Sequence, residues 1–117
     1  MIEVTERELL ERIDWQERLA KRDNIMNPII VFLTTPLCGT CAAARKMINV
    51  AEHVLTESEL LEADVNFLPL TVERYQIRSV PAILAVNPKA TAPEQYEVLY
   101  RMGSVQDILD FVRSVKG

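Results

Sequence analysis

Two cysteines and one histidine are all that this chain offers a metal that prefers sulfur or imidazole ligands. A mononuclear zinc site within one chain takes four ligands. His53 lies twelve residues beyond Cys41 on the same expected helix, about 18 Å along its axis. It cannot join both sulfurs, so a Cys/His zinc site inside the monomer is excluded. His53 reads as a solvated side chain near a helix C-terminus. Basic runs are also missing, since no cationic stretch exceeds the two residues of Lys21-Arg22 or Arg45-Lys46. With 13 Lys and Arg against 17 Asp and Glu, the net charge is −4. The electrostatic footprint of a nucleic-acid binder is absent. Nor does any run approach the ~20 apolar residues of a membrane span. The opening MIEVTERELLERIDW is charged from Glu3 onward, without the apolar segment and small-residue cleavage site of a signal peptide. These absences lead to the expectation of a cytoplasmic protein with no nucleic-acid and no membrane partner.

What is present suits one domain over residues 1–117, large enough for a single core. Met1–Val4 reads as a short edge strand. Thr5-x-x-Glu8 has capping-box form, and Leu9, Leu10, Ile13, Leu19 and Ala20 recur at helical spacing over about Glu6–Lys21. Trp15, on this helix, reads as a packing residue. The unbroken run Ile29–Leu33 suits a strand covered on both faces. Ala44, Met47, Ile48, Ala51, Val54 and Leu55 predict a helix over about Gly39–Thr56. Asn66–Val72 (NFLPLTV) reads as a strand confined by Pro69 to an edge or bulge, with a short helical turn over Val72–Gln76. Ala82–Val86 is a buried strand, Asn87-Pro88-Lys89 a turn, and Gln95–Met102 an alternating antiparallel strand. Ser104 and Asp107 cap a last helix with Val105, Ile108, Leu109, Val112 and Val115 on its apolar face. The order β-α-β-α-β-(α)-β-β-α implies an α/β fold, a mixed sheet with helices on both faces.

The chemistry concentrates in TTPLCGTCAAARKM, residues 34–47, which holds both cysteines. Cys38 falls at the entry to a helix, where unpaired N–H groups carry partial positive charge and favour an anion. Its thiolate is therefore favoured and its pKa should fall. Cys41 sits one turn along, within reach of Cys38. Cys38 is then the exposed nucleophile that attacks a disulfide, and Cys41 the shielded thiol that resolves the mixed disulfide. Gly39 and Thr40 are small and leave the mouth open to a substrate. On the residues alone, a redox pair, a share of a metal site and a merely structural pair all stay open.

Tyr75-Gln76-Ile77-Arg78-Ser79-Val80-Pro81-Ala82-Ile83-Leu84 changes the balance. An aromatic, Ile, a small residue, Val-Pro and an apolar strand, some forty residues after the pair, make the chain resemble the thioredoxin family. Gly103 after the last strand and the terminal amphipathic helix extend the resemblance over essentially the whole chain. It implies a thioredoxin fold with a four- to five-stranded mixed sheet, and a cis Val80–Pro81 bond beside Cys38. It also implies that the Val80 backbone pairs with an extended substrate. Leu37, Gly39, Thr40, Val80 and Pro81 become the expected substrate contacts, with no metal and no cofactor. The implied partners are protein disulfides, with a thioredoxin reductase or a low-molecular-weight thiol for recycling, acting on a monomer.

The sequence also departs from the family. Leu37 stands where thioredoxins carry Trp, Thr40 where they carry Pro, Phe32 where they carry a buried acid, and Lys46 where a proline kinks the helix. Without the acid, no obvious side chain takes the proton from Cys41, and its attack should be slower or use water. Thr40 could hydrogen-bond the Cys38 thiolate and make the couple more oxidising. Pro36-x-Cys38 and Met102-Gly103 with Asp107 resemble glutaredoxins in part. The leading expectation is a thiol–disulfide oxidoreductase. The alternatives are a glutaredoxin-like or iron–sulfur-bridged dimer and a non-catalytic binding module.

Overall fold

The computed structural model describes residues 1–24, 27–88 and 95–116. Five strands run β1 Ile2–Glu3, β2 Ile29–Thr34, β3 Leu60–Asp64, β4 Ala82–Val86 and β5 Tyr96–Leu99. Four helices alternate with them: α1 Glu6–Asp23, α2 Gly39–Val54, α3 Pro69–Arg74 and α4 Val105–Lys116. The sheet order is β1-β3-β2-β4-β5. β1 and β2 flank β3 in parallel, whereas β4 and β5 continue the sheet antiparallel. This is the mixed sheet and the element order read from the sequence.

Each face of the sheet carries its own core, which explains the continuous apolar run of β2. Val31 and Leu33 pack with Leu9 and Ile13 of α1, while Ile30 and Phe32 pack with Ala44 and Ile48 of α2 and Ile108 and Val112 of α4. Alternate residues of β2 point to opposite faces and both faces are covered, so Ile29–Leu33 are all apolar, and only Thr34 at the end of the strand is polar. α1 starts at the expected capping box: the Glu8 N–H donates to Thr5 Oγ1, and the Thr5 N–H donates to Glu8 Oε1. α4 starts on Ser104, whose Oγ accepts the Asp107 N–H at 3.1 Å.

Three sequence expectations fail for physical reasons. Asn66–Val72 is not a strand. Val65–Phe67 forms a 3-10 turn and Pro69 opens α3 at its first position, where a missing N–H costs nothing. The strand lies earlier, at Leu60–Asp64, where Glu62 breaks the apolar pattern that would have marked it. Trp15 is not a packing residue: it is 53% exposed, and the Arg18 guanidinium lies 5.3 Å from its ring centre. Val54 also leaves the apolar face of α2 and is exposed near that helix's end. Lys89, the last residue of the turn expected at Asn87-Pro88-Lys89, lies outside the described residues.

One polar tie holds the short α3 in place. The N–H and hydroxyl of fully buried Thr71 both donate to Glu6 Oε2, at 2.9 and 3.0 Å. Glu6→Ala is expected to lower unfolding free energy by about 1–3 kcal/mol, because it strands two buried donors. Urea denaturation would measure it, and an unchanged midpoint would contradict the tie.

Candidate active site

The site forms where β2 ends. Thr34 closes the strand, Thr35, Pro36 and Leu37 turn the chain, and Cys38 begins α2. Because β3 runs parallel to β2, with Thr34 opposite Asp64, the segment after β3 emerges at the same end of the sheet. The Asn66 side-chain N–H donates to Thr35 Oγ1 at 3.0 Å and ties the two segments. β4 is antiparallel, with Leu33 opposite Ala82, so Pro81 enters the sheet at that end too. The Val80–Pro81 peptide bond is cis. Buried Tyr75, edge-on to Tyr96 at 5.1 Å, and the Arg78 N–H on the Tyr100 hydroxyl at 3.1 Å anchor the segment before it. Cys38, Cys41, Val80 and Pro81 thus meet at one end of the sheet. Sequence position alone could not bring them there.

Cys38 is the N-cap of α2, with extended backbone (φ −114, ψ 111). Its Sγ accepts the Cys41 N–H at 3.1 Å, and the Thr40 hydroxyl lies 3.2 Å away. A cysteine at this position replaces the usual Ser or Asp as acceptor for the orphan N–H groups of the first turn. Hydrogen bonds from Cys41 and then from Thr40 hold the Cys38 thiol below its ordinary pKa. Cys41 differs: it is 2% exposed, and burial pushes its thiol up, as does its contact with Cys38. The Thr34 hydroxyl and Thr35 backbone oppose that rise in part. Both cysteines are free thiols. One is a partly accessible sulfur with a favoured anion, the other a covered sulfur held neutral.

The surroundings of Cys38 are open. Leu37 is 100% exposed, and a Cβ built on Gly39 would meet nothing within 4 Å. A cavity of about 300 Å³ runs under the first turn of α2 and is lined by Thr34, Cys38, Cys41, Arg45, Glu62 and Asp64, among others. His53 lies away from this end, in the last turn of α2, with Nδ1 2.8 Å from the Asn49 carbonyl oxygen. Among the described residues, no three His, Cys, Asp or Glu side chains gather to hold a metal. No helix among them is long and apolar enough to cross a membrane.

The hydroxyl of Thr40 has a checkable effect. Thr40→Val removes a donor to the Cys38 thiolate while leaving the helix cap, so the Cys38 pKa should rise toward that of a free thiol. At constant iodoacetamide, the midpoint of the alkylation–pH curve should move to higher pH. A midpoint that stays put would mean the hydroxyl accepts from Cys38 instead of donating to it.

No protein-family model matches the chain. Over 55 residues it is 40% identical to the thioredoxin-like protein YusE of Bacillus subtilis (strain 168), covering 47% of this chain and 52% of that protein. The chain thus spans about half the length of the curated relative it matches. Among solved structures, chloroplastic thioredoxin z superposes with a TM-score of 0.70 at 16% identity, covering 99% of this chain and 94% of that one. The Trichomonas vaginalis thioredoxin does so with a TM-score of 0.60 at 15% identity, covering 99% and 95%. The architecture is the thioredoxin fold.

Proposed function

The chain is thioredoxin-like in fold and in its cysteine pair, and from that premise we propose that it is a thiol–disulfide oxidoreductase. The observation that carries this reading is the asymmetry of the pair. Cys38 Sγ sits at a helix N-terminus, accepting the Cys41 N–H and in contact with the Thr40 hydroxyl, whereas Cys41 Sγ lies covered one turn below. A purely structural pair has no need of that difference; a nucleophile and its resolving partner require it.

The reaction follows from the geometry. The Cys38 thiolate attacks one sulfur of a substrate disulfide, forming a Cys38–substrate bond as the substrate S–S bond breaks. The departing sulfur leaves as a thiolate and takes a proton from water. Cys41 then attacks Cys38 Sγ, closing the Cys38–Cys41 disulfide and releasing the second substrate thiolate. The substrate is reduced by two electrons and the pair is oxidised by two. Leu37, Gly39 and Thr40 rim the nucleophile, and the Val80–Pro81 backbone at the same end of the sheet offers an edge for an extended protein segment. Protein disulfides fit this open mouth, and small disulfides could also enter. A thioredoxin reductase or a low-molecular-weight thiol would return the pair to its reduced state. We place the protein in the cytoplasm as a monomer, where free thiols persist. Burial of Cys41 disfavours a cluster shared between two chains, because only Cys38 is placed to reach outward.

The test is capture. Cys41→Ser should accumulate a covalent adduct between Cys38 and an oxidised protein such as insulin, visible by intact mass and lost on adding dithiothreitol. An adduct-free variant in excess disulfide would reject the redox reading in favour of a binding module.

A further inference from the structure

The buried thiol of Cys41 must lose its proton to attack, and β2 offers no acid beneath it, since Phe32 stands there. The neighbouring strand supplies one. Phe32 on β2 is paired in register with Glu62 on β3, so their side chains leave the sheet on the same face. That face is the one α2 covers. Glu62 is only 17% exposed there and is bound by the Arg45 guanidinium. Arg45 lies four residues after Cys41 on α2, on the same side of the helix, and also stacks 5.6 Å from the centre of the Phe32 ring. Cys41, Arg45 and Glu62 line one cavity, which is also lined by Cys38, Glu3 and Asp64. At about 300 Å³ it has room for several waters.

Resting on the redox reading above, we propose that Glu62 is the proton acceptor for Cys41, working through water in this cavity. The step balances as follows. The Cys41 thiol proton passes by water to the Glu62 carboxylate as Cys41 Sγ bonds to Cys38 Sγ. The Cys38–substrate bond breaks and the substrate departs as a thiolate. Glu62 then returns its proton to the cavity water, and the thiolate is protonated from bulk solvent. Each element packed around Glu62 contributes to its setting. Glu3 from β1 and Asp64 from its own strand add negative charge, Arg45 from α2 opposes it, and β2 presents only Phe32 and the Thr34 hydroxyl.

Single-turnover kinetics on the full chain separate the two chemical steps. With a test disulfide in excess, acid quench and intact mass follow the rise of the Cys38 adduct and its decay to the intramolecular disulfide. For E62Q the rise should stay within about two-fold of wild type, and the decay should slow about 10- to 100-fold near neutral pH, the usual reach of a general base. That decay should also become proportional to hydroxide, about tenfold per pH unit, where wild type changes less steeply. R45Q breaks the same ion pair but keeps the carboxylate, and its decay should remain within about three-fold of wild type. Decay of E62Q at the wild-type rate and pH dependence overturns the proposal. Equal slowing in E62Q and R45Q also overturns it, since that would mark the pair as structural. If wild type forms neither the adduct nor the Cys38–Cys41 disulfide, the redox reading itself has failed; an intact rise with unaltered decay rejects Glu62 alone.

Discussion

Cys38→Ser abolishes disulfide exchange. A hydroxyl at the same N-cap still satisfies the first turn of α2, since serine is a favoured acceptor there, so the fold should survive and the loss be chemical. Serine is not ionised near neutral pH, whereas the Cys38 thiol is held low by donors from Cys41 and Thr40. Exchange rates measured with insulin and dithiothreitol should fall to the uncatalysed background, with unchanged far-UV circular dichroism. Residual exchange well above background would mean that Cys41 can act alone, against its burial. The same shifts predict a pH profile with a definite sign. Because the Cys38 pKa is lowered, its thiolate and hence its alkylation persist to lower pH than for a free cysteine. Because Cys41 is raised, its alkylation in Cys38→Ser should need pH above the ordinary thiol value. A favoured thiolate also stabilises the reduced pair, which makes the disulfide a stronger oxidant than one with an unshifted nucleophile.

Phe32→Ala is expected to cause the largest loss of stability among simple core truncations, about 3–5 kcal/mol. Phe32 is among the largest fully buried side chains, on the central strand β2, and it fills the space between the sheet and α2. Its removal opens a cavity under the helix that carries both cysteines and takes away the ring on which Arg45 rests. Against the 5–15 kcal/mol typical of a domain, that is enough to lower the urea midpoint substantially. Val54→Ala, at an exposed site on the same helix, serves as the comparison and should change stability by no more than about 0.5 kcal/mol. Similar midpoints for the two variants would contradict the packing described for Phe32.

Much of the fold was legible in the residues because its strongest signals are periodic and local. The apolar run of β2, the amphipathic faces of α2 and α4, and the Thr5–Glu8 box each depend on side chains a few positions apart. The misread segment shows where that logic stops. Leu60–Asp64 is a strand with a charged residue in its middle, and Glu62 is tolerated only because Arg45, seventeen residues earlier, comes to meet it. Asn66–Val72 looked apolar enough for a strand, yet Phe67 and Leu70 face solvent while only Leu68 and Thr71 are buried. Trp15 was misplaced for the mirror reason. A large aromatic on a helix suggests a core, but its position on α1 turned it outward.

By itself, the sequence determined the spacing of Cys38 and Cys41, their place at a helix start and the alternation of strands and helices. Those follow from neighbours along the chain, where hydrogen-bond geometry and periodicity act. A shielded Cys41 and a Val80–Pro81 bond beside Cys38 were expected, but only the tertiary structure decided that Cys41 is buried while Cys38 stays partly accessible, and that Val80–Pro81 enters at their end of the sheet. It also decided that a carboxylate from β3 faces the space beneath the pair. Burial and proximity depend on which strands lie side by side, and strand order is set by packing both faces of the sheet at once. No local pattern records it.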